Sequence, residues 1–152
     1  MDTSIQIRTV DPDSPEAIYL MDLLSNALQA ITGDSGRSSF NKADVVGPRT
    51  RFVVATDPQG RAVGCGAYRS LDRTVAEIKR MFALPGTSGV GSAILSYLED
   101  KAKAEGYAEA WLETRRVNER ATNFYRRHGY REIPNFGKYE GMPEAVCFAK
   151  NL

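Results

Sequence analysis

Residues Ala76–Tyr130 constrain the fold of this chain more than any other stretch. The run Val75–Leu84 reads as a strand. It ends in a glycine-rich turn, Pro85-Gly86-Thr87-Ser88-Gly89-Val90-Gly91, and an apolar helical stripe of Val90, Ile94, Leu95, Leu98 and Ala102 follows at once. Gly106 fits the end of that helix. Ala108–Thr114 reads as a second strand, apolar on both faces and hence central. Asn118–His128 reads as a second helix, stopped by Gly129. A glycine turn that opens a helix suits a phosphate group. The first amides of the helix lack partners within it, the helix dipole is positive there, and glycine permits close approach.

The flanking sequence extends the pattern. Ser4–Val10 alternates and suggests a half-buried strand. Ser14-Pro15-Glu16 is a helix start, and Ile18, Met21, Leu24, Leu28 and Ile31 predict its apolar face, with Gly33 at its end. Gly33–Pro48 reads as a mobile loop with a short helix near Asn41–Val45. Arg51–Thr56 and Ala62–Ser70 predict a hairpin around Asp57-Pro58-Gln59-Gly60. Tyr130–Ile133 and Ala145–Ala149 predict a last strand pair, joined by the loop Pro134–Pro143. The order predicts a single α/β domain over residues 1–152, with one mixed sheet and helices on both faces.

Composition excludes several classes. Lys plus Arg total 20 and Asp plus Glu total 19, so no global field argues for nucleic acid. Any anion site must be local. Cys65 and Cys147 sit in apolar strands and read as buried free thiols, and two Cys with one His make no metal set. Met1–Val10 lacks the pattern of a signal peptide and no run approaches a membrane span, so a cytoplasmic protein with no membrane partner is expected. A nucleotide-binding domain is a poorer reading. The chain lacks a phosphate loop ending in Gly-Lys-Ser/Thr and lacks a Gly-x-Gly-x-x-Gly fingerprint.

The strand, glycine turn and Asn118-x-x-Ala121-x-x-Phe124-Tyr125 helix ending at Gly129-Tyr130 resemble the GNAT superfamily of acetyl-coenzyme A dependent N-acetyltransferases. The resemblance implies a mostly antiparallel mixed sheet of about seven strands and acetyl-CoA as co-substrate, without a metal. It implies that Thr87, Ser88, Gly89, Val90, Gly91 and Ser92 surround the pyrophosphate. Backbone groups of Met81, Phe82 and Ala83 would meet the pantetheine and polarise the acetyl carbonyl. Asn118 would contact the pantetheine arm, and Tyr125 would both touch the coenzyme and protonate the departing thiolate. The family's usual Gln/Arg at the start of the turn is Gly86 here, and the loop is about two residues short. Thr87 or Ser88 hydroxyls are candidates to compensate. Ser88 is equally a candidate helix cap.

Amine acetylation also needs a base. Glu77 stands where some members of the family carry a catalytic glutamate, and strand alternation puts Glu77, Lys79, Met81 and Ala83 on one face. The alternative is a solvated glutamate paired with Lys79 or Arg80. Arg115, Arg116, Arg120, Arg126 and Arg127 form a basic cluster that reads mainly as a solvated face, with one or two available to phosphates. His128 reads as a helix-end cation. Trp111 reads as core. Phe136, Lys138 and Tyr139 are candidate acceptor contacts between the two loops. The expected activity is direct acetyl transfer in a ternary complex to a primary amine, with a small molecule favoured over a protein amine. A homodimer stays open. The rival reading is a non-catalytic acyl-CoA sensor or interaction module with a degenerate turn.

Overall fold

The computed structural model describes residues 5–152. Seven strands form one sheet, β1 (Gln6–Thr9), β2 (Arg51–Thr56), β3 (Ala62–Ser70), β4 (Val75–Ala83), β5 (Glu109–Arg115), β6 (Arg131–Ile133) and β7 (Ala145–Asn151). Their order across the sheet is β1-β2-β3-β4-β5-β7-β6, and every pair is antiparallel except β4 with β5. Three helices cover it, α1 (Pro15–Thr32), α2 (Val90–Ala104) and α3 (Glu119–Arg127). Ser4, at the start of the predicted first strand, lies outside the described residues. The Gly33–Pro48 loop holds two short 3-10 turns, Arg37–Ser39 and Lys42–Val45. The Pro134–Pro143 loop holds a third, Gly137–Tyr139.

The two sheet faces have separate cores. Helix α2 sets Ile94, Leu95 and Leu98 against Val53, Ile78, Ala110, Leu112 and Phe148. Full burial of each such aliphatic side chain is worth roughly 1.5–3 kcal/mol. Helix α3 joins the same face through Ala121, Phe124 and Tyr125. The approach of α2 to β3 requires glycine. A Cβ on Gly64 would lie 2.7 Å from both Phe82 O and Val90 Cγ1. Helix α1 covers the opposite face, where Ala17, Leu20 and Met21 meet Phe52, Val54, Cys65 and Ala67. Cys65 and Cys147 are both buried and free.

Two packing expectations need correction. The buried stripe of α1 is Ala17, Leu20, Met21, Leu24 and Ser25, whereas Ile18 and Ile31 are 39% and 51% exposed. The buried face mixes the small Ala17 and Ser25 with Leu20, Met21 and Leu24, and it is rotated away from Ile18 and Ile31. Trp111 is half-buried and packs on Phe136 in a small third cluster beneath the Pro134–Pro143 loop.

A correction of register concerns β4. Alternation fails at Arg80, where the register on β3 shifts between Cys65↔Phe82 and Ala67↔Lys79. Arg80 and Met81 together oppose Gly66, which makes a β-bulge. Arg80 takes a left-handed backbone with φ of 56°. The bulge inverts the rest of the strand. Glu77 and Lys79 belong to the α1 face, but Met81 and Ala83 pack with the α2 core and Phe82 with the α1 core.

Candidate active site

Strands β4 and β5 pair only at Val75↔Glu109, Ala76↔Ala110 and Glu77↔Trp111. Beyond Glu77 they part, because β5 follows β7 across seven paired positions while β4 bends at its bulge. The β5-facing backbone of Ile78–Ala83 has no strand partner among the described residues. Peptide groups alternate along the strand, so those of Met81 and Ala83 face a slot through the sheet, while Phe82 O points to Gly64 of β3.

On the α2 side of the slot lies the glycine turn. Gly86 and Gly89 both have left-handed backbones, with φ of 85° and 75°, and open space where a side chain would project. Gly89 is the N-cap of α2 and makes no side-chain cap bond, so Ser88 does not cap the helix. The amides of Val90, Gly91 and Ser92 begin the helix without intrahelical acceptors. Val90's side chain is buried, leaving only its backbone for a ligand. Thr87 Oγ1 is committed to Leu84 O at 2.6 Å. Ser92 Oγ lies 2.9 Å from His128 Nε2, and His128 Nδ1 lies 2.8 Å from Phe124 O. The carbonyl can only accept, so Nδ1 carries a proton and donates to it, while Nε2 shares a hydrogen bond with the Ser92 hydroxyl. His128 thus joins the end of α3 to the first turn of α2, a role beyond that of a helix-end cation.

Helix α3 completes this side. Asn118 caps it, its Oδ1 accepting from Ala121 N at 3.3 Å. Its amide NH2 makes no hydrogen bond among the described residues. Tyr125 is buried between Phe124, Tyr130 and Phe148. Its hydroxyl has no hydrogen-bond partner among the described residues, and burial pushes its pKa upward, so it keeps its proton. Of the basic cluster, Arg115 pairs with Glu113 and Asp34, and Arg116 and Arg126 share Glu132.

On the α1 side the slot opens into a cavity of about 110 Å³, whose polar lining includes Glu77, Lys79, Arg80, Glu113, Arg115 and Tyr139. Glu77 is 1% exposed, so it is not a solvated strand residue. Its Oε1 accepts from Arg69 Nε at 2.8 Å and its Oε2 from the Tyr139 hydroxyl at 3.1 Å, with Lys79 Nζ at 3.6 Å. Burial pulls the Lys79 pKa down, and Glu77 offsets part of this. Glu113 faces the same cavity from β5. Burial raises its pKa against the opposing pull of Arg115.

Among the candidate acceptor contacts, Tyr139 lines the cavity. Phe136 instead packs in the cluster under the loop. Lys138 donates to Ser39 O at 2.9 Å, tying the two loops together. Glu113 and Arg80 are the lining residues that sequence reasoning missed. The Trp111, Glu113, Arg115 alternation, opposite Ala110 and Leu112, was a usable signal for Glu113. Nothing in Lys79-Arg80-Met81 announces a bulge. No group of three or more His, Cys, Asp or Glu able to hold a metal occurs among the described residues. No helix among them is long and apolar enough to cross a membrane.

A mixed seven-stranded sheet, split between two parallel strands beside a glycine-capped helix, defines an acyl-CoA dependent acetyltransferase architecture. The chain belongs to the acetyltransferase (GNAT) family, whose model matches residues 17–130, and is an acyltransferase of that family. It is similar to the IAA acetyltransferase of Azospirillum brasilense, at 28% identity over 152 residues covering 98% of this chain and 99% of that protein. It also resembles a solved structure from Klebsiella pneumoniae, provisionally named an acyl-CoA N-acyltransferase, at 28% identity and a TM-score of 0.81, covering 97% of each chain. A GNAT family acetyltransferase from Elizabethkingia anophelis with acetyl-CoA bound shares the fold at 17% identity and a TM-score of 0.72, covering 99% of this chain and 100% of its own.

Proposed function

We propose that this protein transfers an acetyl group from acetyl-CoA to the primary amine of a small molecule, directly and within a ternary complex. The slot between β4 and β5 carries this reading, because it joins an anion-binding helix start on one face to a carboxylate-lined cavity on the other. The open turn at Gly86 and Gly89, with free amides at Val90, Gly91 and Ser92, fits the coenzyme's pyrophosphate. Acetyl-CoA supplies the activated thioester.

The chain's own residues supply the rest. The acceptor enters from the α1 side as an ammonium ion. Glu113, its proton affinity raised by burial, takes one proton, directly or through water, and Glu77 is the alternative base. Amides of Met81 and Ala83 donate to the carbonyl oxygen as negative charge gathers on it. As nitrogen bonds to carbon and the C–S bond breaks, the Tyr125 hydroxyl donates its proton to the thiolate. Tyr125 recovers that proton from the nitrogen, through solvent, and the products are an amide and free coenzyme A. The small cavity, enclosed by the 33–48 and 134–143 loops, favours a small molecule over a protein amine.

The test is a calorimetric titration with acetyl-CoA, with desulfo-CoA as control, followed by a thiol-release screen against amines. IAA, named in the Azospirillum relative, belongs in that panel. Micromolar binding and amine-dependent release are expected. Tyr125→Phe should lower kcat by about 10- to 100-fold while leaving acetyl-CoA affinity intact. Absence of binding would defeat the proposal and favour an interaction role.

A further inference from the structure

The cavity's ionised side chains stand in ion pairs, with one exception. Glu77 is compensated by Arg69 and Lys79, while Glu113 and Asp34 share Arg115. Arg80 lines the same cavity and has no carboxylate within 4.0 Å among the described residues. The nearby Asp22 is itself bridged to Arg37 at 3.1 Å. A guanidinium stays charged at neutral pH, so Arg80 brings an unmatched positive charge to a partly desolvated site.

Its hydrogen bonds are also incomplete. All of those it makes run through Nη2, to Met21 O at 3.0 Å and Ser25 Oγ at 2.7 Å. Nε is buried and bonds nothing, the single such side-chain nitrogen or oxygen among the described residues. A buried, unpartnered donor on a cation costs free energy unless another molecule satisfies it. The backbone adds to that cost. A left-handed conformation at a non-glycine residue is strained, and at Arg80 it turns the side chain to the α1 face instead of the α2 core. An unbroken strand would put residue 80 beside Ile78, facing α2. Strain, an unpartnered donor and an unpaired charge therefore converge on one residue at the acceptor cavity.

We propose that the acceptor carries a carboxylate as well as an amine, that Arg80 binds the carboxylate, and that the amine points toward Glu77 and Glu113. The substrate class is a small, amino-acid-like zwitterion. This rests on the acetyltransferase reading of the same cavity. A carboxylate would give the Arg80 guanidinium the ion-pair partner it lacks, by a charge-assisted hydrogen bond.

The test uses matched pairs of amino acids and their decarboxylated amines, such as phenylalanine with phenethylamine, lysine with cadaverine and 4-aminobutyrate with propylamine. Acceptor-dependent coenzyme A release is the readout. In the wild-type protein the carboxylated member of at least one pair should have kcat/KM higher by about tenfold or more. Arg80→Asn removes the charge but keeps a residue tolerant of left-handed backbone. It should abolish that preference by raising KM for the amino acid, while the amine partner changes by less than about threefold. Arg80→Lys should restore part of the preference. Wild-type preference for the decarboxylated amines would overturn the proposal, as would equal losses for both members of a pair in Arg80→Asn. If neither variant folds, the wild-type preference decides alone. Intact acetyl-CoA binding with only the decarboxylated amines accepted would refute this inference but leave the acetyltransferase reading standing. Loss of acetyl-CoA binding itself would remove both.

Discussion

Replacing Glu77 by Gln separates a structural from a chemical role for this buried carboxylate. Glu77 and the Lys79 side chain are 1% and 6% exposed, with Nζ and Oε2 3.6 Å apart. At an effective dielectric of about 20, unit charges roughly this far apart attract by about 4 kcal/mol. Arg69, 26% exposed, can turn to water when the carboxylate is lost. Lys79 cannot, so it bears most of the penalty. Removing one partner of a buried pair costs about 3–5 kcal/mol, whereas replacing both with apolar groups is close to neutral. The Tyr139 hydroxyl remains a partner for Lys79 and places Glu77→Gln near the lower end, about 3 kcal/mol. For a domain of this size the melting temperature should fall by about 6–12 °C. Glu77→Gln combined with Lys79→Met should return to within about 1 kcal/mol of the wild type. The penalty also depends on pH. The folded pKa of Lys79 lies below its unfolded value, so the unfolded chain binds more protons and the single variant should gain stability as pH rises. Urea unfolding of the four proteins at two pH values measures the cycle, at unchanged m. Simple additivity, or a single variant as stable as the wild type, would refute the reasoning. Activity of the stabilised double variant then assigns Glu77. Recovered turnover makes it a positioning residue and leaves Glu113 as base, whereas lost turnover makes its charge part of the chemistry.

Glu113→Gln should raise stability near neutral pH, because burial favours the protonated form of the wild-type residue. The gain should vanish at acid pH, where the wild-type carboxyl is already protonated, and kcat/KM should drop by about 100-fold. Melting curves across pH and initial rates check the two halves, and a gain independent of pH would refute the electrostatic account. Gly64→Ala should destabilise by about 1–3 kcal/mol, since its Cβ would sit 2.7 Å from Phe82 O and Val90 Cγ1. Thermal unfolding within 1 °C of the wild type would show that α2 and the β4 backbone at Phe82 both shift at little cost.

Features set by local rules were legible in the sequence. Ser14 caps α1, Gly33 ends it, and the hairpin strands Arg51–Thr56 and Ala62–Ser70 fall at their expected bounds. Asn118 caps α3 as its position suggested. The glycine turn was readable because its left-handed positions require glycine. The electrostatics of the cavity were not readable. Glu77 looks solvated beside Lys79 and Arg80 in a charged strand segment, but its ligands Arg69 and Tyr139 arrive from 8 and 62 residues away. Burial of a charge is a property of the assembled sheet, and no local pattern encodes it. Ile18 failed for a related reason. The orientation of α1 is chosen by the sheet surface it covers, and that choice turns Ala17, Leu20, Met21, Leu24 and Ser25 inward and Ile18 outward.

The bulge at Arg80 connects the departures from simple alternation. One extra residue in β4 puts Met81 and Ala83 into the α2 core, on the opposite side from Glu77 and Lys79. The same bend accompanies the parting of β4 from β5 after Glu77 and exposes the backbone that the coenzyme would meet. It also sends Arg80 to α1, where Ser25 anchors one side of the guanidinium and leaves Nε unsatisfied. A regular strand would be more stable locally and would need no left-handed arginine. It would also close the slot and put an arginine into an apolar core. The strain is thus inseparable from the geometry that joins a cofactor face to an acceptor face. That coupling predicts a sharp asymmetry. Removing the charge of Arg80 while keeping the bulge should alter acceptor choice alone, whereas deleting residue 80 to straighten β4 should abolish acetyl-CoA binding as well.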